Sequence, residues 1–328
     1  VGDFTTAHSF YNDEREQFFS NSLHPEMYSD RLTATSLSFG AGSKILDQLS
    51  IGASFTLNLT NSAEASTYVR DPIDYNKLLI SNDIHVRAAV SPHFGIAYDP
   101  LAWLHLSGTV HSEQRFTINT GIKASLPAGN ESTTTRNEVH SFLPWTFGVG
   151  GAVDLNRGAP QEFSIAGNLR YALWSDYLDR HGESPGAQGP DFAFKNVFAG
   201  TLGVRHHTGQ IDTFLDVNYQ PTPVPPQTGR SNYVDNDRIG ALVGGQYQFW
   251  IGDLPLKVGM QLQAQRLLPR HQSKNDALIV DELPDDAVDS HGTAVPGRGG
   301  LQTNNPGWPG FASDGWILGG AVSASLNF

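Results

Sequence analysis

Histidines and carboxylates are the residues that could bind a metal or act as bases, but their spacing argues against both roles. His206 and His207 are adjacent in "RHHTG", and successive strand residues point to opposite faces, so the two rings cannot easily share a metal ion. The segment "NDALIVDELPDDAVDSHG" has enough carboxylate oxygens for calcium, yet it lacks the ligand spacing and central glycine of an EF-hand. No Gly-x-Ser-x-Gly elbow is present. The sequence therefore predicts no enzyme, no metal site and no cofactor.

A second group of candidates consists of apolar residues on faces that are otherwise polar. Trp174, Phe214 and Leu242 each occupy a position that strand alternation assigns to the polar side. Apolar exceptions of this kind suit a ligand pocket, in which a few polar groups orient the bound molecule. Arg170 or Arg205 could grip a carboxylate there, because one guanidinium can donate two parallel hydrogen bonds to it. The sequence does not select between the two arginines.

The alternative for these polar faces is a charge network that braces the inside of a barrel. Opposite charges inside a small barrel commonly pair and fill it. The remaining polar-side positions are His85, Arg87, His93, His105, His111, Glu113, Arg115, Asp176, Lys195, Asp212, Asp216 and Lys257. Both signs of charge occur among them, so bracing and ligand binding both stay open.

The elements that position these residues are strands with an apolar residue at every second position. The last stretch, "WILGGAVSASLNF", places Trp316, Leu318 and Val322 on one face and small or polar residues on the other. The same period appears in "PLKVGMQLQAQ", "RIGALVGGQYQF", "IDTFLDVNY", "EFSIAGNLRYALW", "LPWTFGVGGAVDL" and "QLSIGASFTLNLT". One register continues from Leu104 to Ile122, which predicts a strand whose far end projects beyond the bilayer.

The apolar faces predict contact with lipid rather than with a protein core. No apolar run approaches the roughly 20 residues of a membrane-spanning helix. The mean hydropathy is slightly negative, as expected of a barrel that hides its lipid face in alternation. A soluble β-sandwich also alternates, but it does not explain polar second faces on strand after strand. Aromatic residues near strand ends, as in interfacial girdles, include Tyr98, Trp103, Trp145, Phe249, Trp250 and Trp316.

Short and long connections alternate along the chain. Turns such as "YDP", "NRGAP", "HHTGQ" and "WIGDLP" are separated by long polar stretches at 61–81, 126–140, 177–190, 221–237 and 271–315. This arrangement predicts an all-β fold, a transmembrane antiparallel β-barrel with short periplasmic turns and long extracellular loops. With "FTTAHSFYND" as a further strand, the barrel has about twelve strands, or about fourteen if the N-terminus is truncated. We expect one domain over 1–328, with 271–315 as a long extracellular loop.

Charge and composition limit the partners and the compartment. The net charge of -12 argues against nucleic acid as a partner. The absence of cysteine agrees with an oxidising compartment, although many cytosolic proteins also lack cysteine. Val1 is not a start methionine, which indicates either a removed signal peptide or a trimmed N-terminus.

The C-terminal residue, Phe328, follows a run of alternating apolar residues. This ending resembles the signal by which bacterial outer-membrane barrels are recognised for assembly. The resemblance implies the outer membrane of a Gram-negative bacterium, surrounded by membrane lipid and lipopolysaccharide. It also implies contact with the barrel-assembly machinery through Phe328.

Longer stretches resemble the FadL family of outer-membrane transporters for long-chain fatty acids and other hydrophobic compounds. They are "GIAYDP", "LRYALWSDY" and the region from "FAGTLGVRHHTGQ" to "GGQYQF". In that region a strand ends in a tyrosine and a proline-rich loop, and an Asp-x-Asp-Arg-like turn opens the next strand, here Tyr219, Pro221, Pro223, Pro225, Asp235, Asp237 and Arg238. The resemblance covers roughly residues 95–249 and the C-terminal strand.

The sequence also departs from the FadL pattern near its N-terminus. Family members have fourteen strands and an N-terminal hatch, with an Asn-Pro-Ala stretch, that plugs the lumen and moves to admit ligand. The nearest text here is "LHPEM", which lacks that stretch. Either the hatch is missing, which leaves transport intact, or the barrel is divergent with about twelve strands, which puts transport in doubt.

The resemblance and the apolar exceptions together imply a channel that takes up hydrophobic small molecules such as fatty acids. Sideways release to lipid needs a local break in strand pairing. Pro92 and Pro144 lie within predicted strands, where proline removes a ladder hydrogen bond. The alternative is a structural or partner-binding barrel that anchors a cell-surface complex with other outer-membrane proteins.

Overall fold

The fold consists of strands joined by turns and loops. A computed structural model describes residues 26–27, 35–59, 79–87, 90–125, 131–179, 182–251, 254–282, 291–293, 300–303, 305 and 307–326. Within them the helical elements are short 3-10 turns at Trp174–Asp176, Pro185–Gln188, Pro190–Phe192 and Asp276–Leu278. No helix in this part of the chain is long and apolar enough to cross a membrane. The predicted all-β class is confirmed. The predicted strand "FTTAHSFYND" lies outside the described residues.

The strands have the following bounds. The first eight are β1 (Glu26–Met27), β2 (Thr35–Leu46), β3 (Leu49–Leu59), β4 (Leu79–Arg87), β5 (Val90–Leu101), β6 (Leu104–His111), β7 (Gln114–Ser125) and β8 (Glu131–Leu143). The others are β9 (Thr146–Leu155), β10 (Gln161–Ala172), β11 (Val197–Thr208), β12 (Ile211–Gln220), β13 (Tyr233–Val234), β14 (Arg238–Ile251), β15 (Leu254–Ser273) and β16 (Gly310–Leu326).

The chain divides into two compact units, and the first comprises residues 1–30, 154–165 and 199–328. Its longer strands pair antiparallel in the order β16-β15-β14-β12-β11. The two-residue turn between β11 and β12 contains Gly209 at φ 56°, a left-handed conformation that glycine adopts without strain. The short strand β1, which includes the end of "LHPEM", pairs in parallel with β13.

The second unit comprises residues 31–153 and 166–198. One antiparallel run has the order β9-β6-β5-β3-β2, and a separate three-stranded sheet has the order β4-β7-β8. β10 contributes residues 161–165 to the first unit and 166–172 to the second.

Apolar side chains lie exposed along one face of the strands in both units. On β16 the exposed fractions are 74% for Leu318 and 77% for Val322, and on β5 the exposed fraction is 59% for Phe94. Val258 of β15 is exposed on the same face as Met260 and Leu262. Exposed apolar rows of this kind would be unfavourable in water, and they suit the outer face of a barrel in lipid.

Two predictions about individual strands are wrong. The single strand predicted from Leu104 to Ile122 is two strands, because β6 ends at His111 and β7 begins at Gln114. Residues 131–140, predicted as loop, belong to β8, which pairs with β7 throughout its length. The "ESTTTRNEVH" stretch of β8 is polar at almost every position. A strand with polar residues at successive positions has no period of two, so alternation does not identify it.

A candidate ligand passage at a strand break

Two neighbouring strand paths of the second unit are interrupted at the same level. On one path β6 ends and β7 begins across Ser112–Glu113, and on the other β8 ends and β9 begins across Pro144–Trp145. The register matches on both sides, since His111 pairs with Thr146 below the interruption and Gln114 pairs with Leu143 above it. We call this interruption the strand break. Beside it, β4 ends at Arg87 and β5 starts at Val90.

Both prolines proposed for lateral opening lie next to the strand break. Pro144 is buried at the break itself, and Pro92 lies in β5 opposite Phe55 of β3. The Pro92 carbonyl accepts a hydrogen bond of 3.1 Å from the Ser112 N–H. Neither proline has an N–H, so each removes one donor from the strand ladder at this level.

Buried aromatic side chains lie next to the strand break. Phe142, Trp174, Tyr177 and Phe194 form this aromatic cluster, and all four are buried. The Tyr177 ring lies 4.1 Å from that of Phe194 and 5.7 Å from that of Phe142, measured between centroids. The Trp174 ring lies 6.3 Å from that of Phe142. The preceding residue, Leu173, donates its N–H to the Trp145 carbonyl, which fixes the cluster to the break.

Polar side chains also lie close to the strand break, on the polar face of β3, β5 and β6. His93 and His111 are cross-strand neighbours whose Nδ1 atoms are 3.0 Å apart. We call these two residues the histidine pair. The Nε2 of His93 lies 2.9 Å from the Thr56 hydroxyl, which in turn lies 2.9 Å from the Ser38 hydroxyl. Gln114 also approaches His93, with 3.5 Å between the two Nε2 atoms.

The cation at the strand break is already paired. Arg115 donates to a Glu113 carboxylate oxygen at 2.6 Å, and its guanidinium carbon lies 6.0 Å from the centre of the Phe142 ring. Arg170, one of the two arginines predicted to hold a carboxylate, is exposed on β10. Arg170 nevertheless lies close enough to His111 to act on it electrostatically.

The other predicted ligand residues lie in the first unit. Arg205 of β11 is opposite Phe214 of β12, with its guanidinium carbon 5.8 Å from the ring centre. The Phe214 ring covers Gly244, where an added Cβ would lie 2.5 Å from the ring. Leu242 of β14 pairs with Asp216 of β12 and is partly exposed. The Arg205–Phe214 contact is a cation–π interaction. It agrees with a role in bracing the strands as well as with a role in ligand binding.

Extracellular-type loops of the first unit pack into a polar cluster. The loop after β12 joins the ends of β15 and β16 through buried amides. We call residues 221–237, 272–275, 305 and 307–309 the loop cluster. Asn236 donates to the carbonyls of Leu268 and Ser313, both at 2.8 Å. Gln272 accepts from the Gln227 N–H at 2.9 Å. The segment predicted as a loop at 271–315 begins and ends with strand residues, because β15 ends at Ser273 and β16 begins at Gly310.

Lys274 is the buried cation of the loop cluster. Its Nζ donates to the carbonyls of Gly229 at 2.7 Å and Ser231 at 2.6 Å, and it lies 5.5 Å from the centre of the Phe311 ring. Burial disfavours the charged ammonium and lowers the pKa of Lys274 to about 8. The network holds the proline-rich loop against β15.

Histidine–carboxylate pairs occur beside two of the short turns, one of which contains the adjacent His206 and His207. His207 contacts Asp212 beside the turn between β11 and β12, and His105 contacts Asp99 at 2.8 Å beside the turn between β5 and β6. His206 instead stacks on Phe163, with ring centres 4.5 Å apart. No group of three or more potential metal-ligating side chains occurs within the described residues.

Sequence reasoning missed most of the residues that surround the strand break. Phe142, Tyr177 and Phe194 fall in or beside stretches that lack alternation, so no period marked them as members of one cluster. His93 and His111 were assigned to the polar side, but nothing in the spacing of 93 and 111 indicated that they pair. The cross-strand register brings them together.

Comparison with known proteins gives a fold but no sequence family. No family model and no curated protein matches this sequence. A FadL homologue from Pseudomonas aeruginosa superposes with a TM-score of 0.51 and 14% identity, over 88% of this chain and 66% of that one. The chain has the FadL-like fold. The predicted class, a transmembrane antiparallel β-barrel, is confirmed.

Two further solved structures resemble this FadL-like barrel less closely. The toluene transporter TodX of P. putida gives a TM-score of 0.41 at 12% identity, over 72% of this chain and 63% of that one. The monoaromatic hydrocarbon channel CymD gives 0.42 at 11%, over 70% and 68%. The FadL-like barrel thus spans about two thirds of the length of the structures it matches.

Proposed function

We propose that this FadL-like barrel is a channel for the uptake of hydrophobic small molecules through the outer membrane of a Gram-negative bacterium. The observation that carries the proposal is the strand break with a buried aromatic cluster next to it. A continuous barrel wall pairs all of its backbone groups and gives an apolar molecule no exit to lipid. A local gap beside aromatic side chains supplies both a binding site and an exit to lipid.

The aromatic cluster supports the binding step of this proposal. Phe142, Trp174, Tyr177 and Phe194 offer ring faces and edges to a molecule that has left water, and such burial is favourable in proportion to the apolar area removed. The strand break supports the release step, because Pro92 and Pro144 weaken the ladder where the strands stop.

The substrates and partners belong to the proposal as well. Fatty acids suit a FadL-like barrel, and the toluene transporter and the monoaromatic hydrocarbon channel that resemble this chain suggest small aromatic compounds. Membrane lipid and lipopolysaccharide would surround the wall. Phe328 lies outside the described residues, and its role towards the barrel-assembly machinery stays a prediction.

Uptake by cells tests the proposal. Cells that lack the protein should take up labelled oleate or toluene more slowly than cells that produce it. The Trp174→Glu variant should abolish most of this difference in uptake rate, since an apolar ligand in the aromatic cluster would remove water from the charged side chain, which is unfavourable. Ser175→Glu is the matched control, because it places the same charge at the next residue, which is exposed. Heat-modifiable migration on gels reports that each variant is folded.

The loop cluster favours a second function, a barrel that holds a partner at the cell surface. Its buried amide network, with Asn236 bonded to two strands, gives the extracellular-type loops one fixed shape. Normal uptake of every hydrophobic compound in cells without the protein, together with loss of a surface complex, would favour this function over uptake.

A further inference from the structure

Two polar side chains interrupt the exposed apolar face of the first unit. His206 lies on the face of β11 that carries Val204, and Thr213 lies on the face of β12 that carries Leu215. The strand register makes His206 and Thr213 direct cross-strand neighbours, and we call them the polar pair. Polar groups are unfavourable in lipid unless they are hydrogen-bonded, and those found there commonly serve binding or transport.

Neither side chain of the polar pair forms a hydrogen bond with a described residue. The Nε2 of His206 is buried without such a partner, and the ring stacks on Phe163 with 4.5 Å between the ring centres. The ring is partly exposed, and rotation about χ2 keeps the stack while it exchanges which ring edge is buried. Thr213 is exposed, and within the described part of the chain its hydroxyl likewise has no partner. A group from outside the chain can therefore bind both residues.

The apolar face is hollow beside the polar pair, because the residue that follows Thr213 in the cross-strand row is Gly245. The row continues through Met260 to Val322. The hollow has a volume of about 500 Å³, and the side chains that line it are Ile211, Thr213, Tyr247, Val258, Met260 and Val322. Thr213 belongs both to the polar pair and to the hollow, so the two form one continuous site.

The hollow suits an acyl chain of a membrane lipid. Its apolar side chains are exposed on the face that the barrel turns to lipid. Strands of such barrels are tilted by about 35–45°, so a cross-strand row is inclined to the bilayer plane and an acyl chain can follow it. Packing alone gives little preference for one lipid over another, because all lipid tails are equally apolar. The polar pair therefore decides which lipid binds.

The ester carbonyls of a glycerophospholipid match the polar pair. A carbonyl oxygen accepts hydrogen bonds, and the Thr213 hydroxyl and the N–H of neutral His206 both donate. Both residues lie two positions from the ends of their strands at the short turn that contains Gly209, which is about 7 Å along the strand. Short turns of outer-membrane barrels face the periplasm. The polar pair thus lies near the edge of the periplasmic leaflet, where acyl chains begin.

We propose that the polar pair and the hollow bind one glycerophospholipid of the periplasmic leaflet. An ester carbonyl of the lipid accepts hydrogen bonds from Thr213 and His206, and the acyl chain of that ester lies in the hollow. The site is independent of the proposed uptake function, because it lies on the exposed face of the first unit and the strand break lies in the second.

Two phospholipids that differ only in their ester carbonyls test the hydrogen bond. Dioleoyl phosphatidylcholine and its diether analogue are added to the purified protein, and bound lipid is counted by native mass spectrometry. We expect the diester lipid to bind about three- to tenfold more tightly, the difference typical of one hydrogen bond. Thr213→Val keeps the shape of the side chain without the hydroxyl, and it should reduce this preference and leave diether binding unchanged. Thr201→Val, on the opposite face of β11, is the matched control.

Two further variants test the other parts of the site. His206→Leu should also reduce the preference for the diester lipid, and Thr213→Leu should weaken binding of both lipids because the longer side chain fills the hollow. Heat-modifiable migration on gels reports that each variant is folded. Equal affinity of the two lipids for the unaltered protein, or unchanged diether binding in Thr213→Leu, would overturn the site. Either result leaves the proposed uptake function standing.

Discussion

In the first unit β14, β15 and β16 run for 14, 20 and 17 residues, and one register shift, between Leu267 and Arg270, interrupts their pairing. In the second unit two paths stop at the strand break and restart two residues later. The longer strands of the first unit carry the polar loop cluster at their ends. The strand break of the second unit is covered instead by the aromatic cluster.

Strands with the same alternation therefore form two kinds of wall in this protein, a continuous one and an interrupted one. A continuous wall satisfies its backbone by pairing alone, so its function is to be impermeable and to support loops. A wall with a break must be stabilised by side chains, and those side chains form a binding surface at the same time. Variants that affect one unit and not the other can separate these roles.

The largest effect should come from the aromatic cluster. Phe142 has an exposed fraction of 0%, and Phe142→Ala removes a ring that contacts Trp174 and Tyr177. We expect the free energy of unfolding to fall by about 3–5 kcal/mol, the usual cost of emptying a buried aromatic site. Phe94→Ala, on the exposed face of the same unit, should cost far less in lipid. Urea unfolding in lipid vesicles, followed by tryptophan fluorescence, measures both, and equal losses would contradict the assigned role of the cluster.

A smaller effect is expected on the continuous wall of the first unit. Leu318→Arg places a charge on the exposed apolar face of β16, and it should lower the free energy of unfolding by about 2–4 kcal/mol if the site lies near the bilayer centre. Ser323→Asn, on the polar face of the same strand, should change it little. The same unfolding measurement applies. Similar negligible penalties at both positions would show that the two faces have been assigned the wrong way round.

The smallest effect concerns the pH dependence of the loop cluster. The pKa of buried Lys274 is lowered to about 8, so between pH 8 and the ordinary lysine value the unfolded segment binds more protons than the folded one. Stability of the cluster should therefore rise with pH across that window and stay constant below it. Hydrogen exchange of residues 227–236, corrected for intrinsic rates, should show opening suppressed by roughly twentyfold from pH 7.5 to 9.5.

Lys274→Met supplies the control for this pH effect. The variant keeps an unbranched stem near Phe311 and has no titrating group, so its opening should not change with pH over the same interval. If Lys274→Met kept the full pH dependence of opening, a titrating group other than Lys274 would be its cause. The strand break of the second unit should show no such change, since Lys274 lies in the first unit.

Local pattern was enough to predict the all-β class and most of the lipid-facing strands. From β9 to β16, each stretch predicted as a strand from its alternation is a strand in the structure. The two-residue β13 is an additional strand that alternation does not identify. Trp174 was predicted as an apolar exception and Pro144 as a proline within a strand. The structure places Pro144 between β8 and β9 at the strand break and Trp174 in the aromatic cluster next to it. Strand β8 was missed because its polar residues give no period of two.

The sequence by itself determined which residues face lipid, because each strand must satisfy that requirement with its own side chains at every second position. It also placed Phe214 and Leu242 as apolar residues among polar neighbours of β12 and β14, whereas Trp174 lies in a 3-10 turn after β10 rather than on a strand face. Only the tertiary structure decided that His93 meets His111, that Phe142 joins Trp174, and that Ser112 is buried between strands. Those contacts depend on the register between strands far apart in the chain, and register is a property of pairs that no single strand carries.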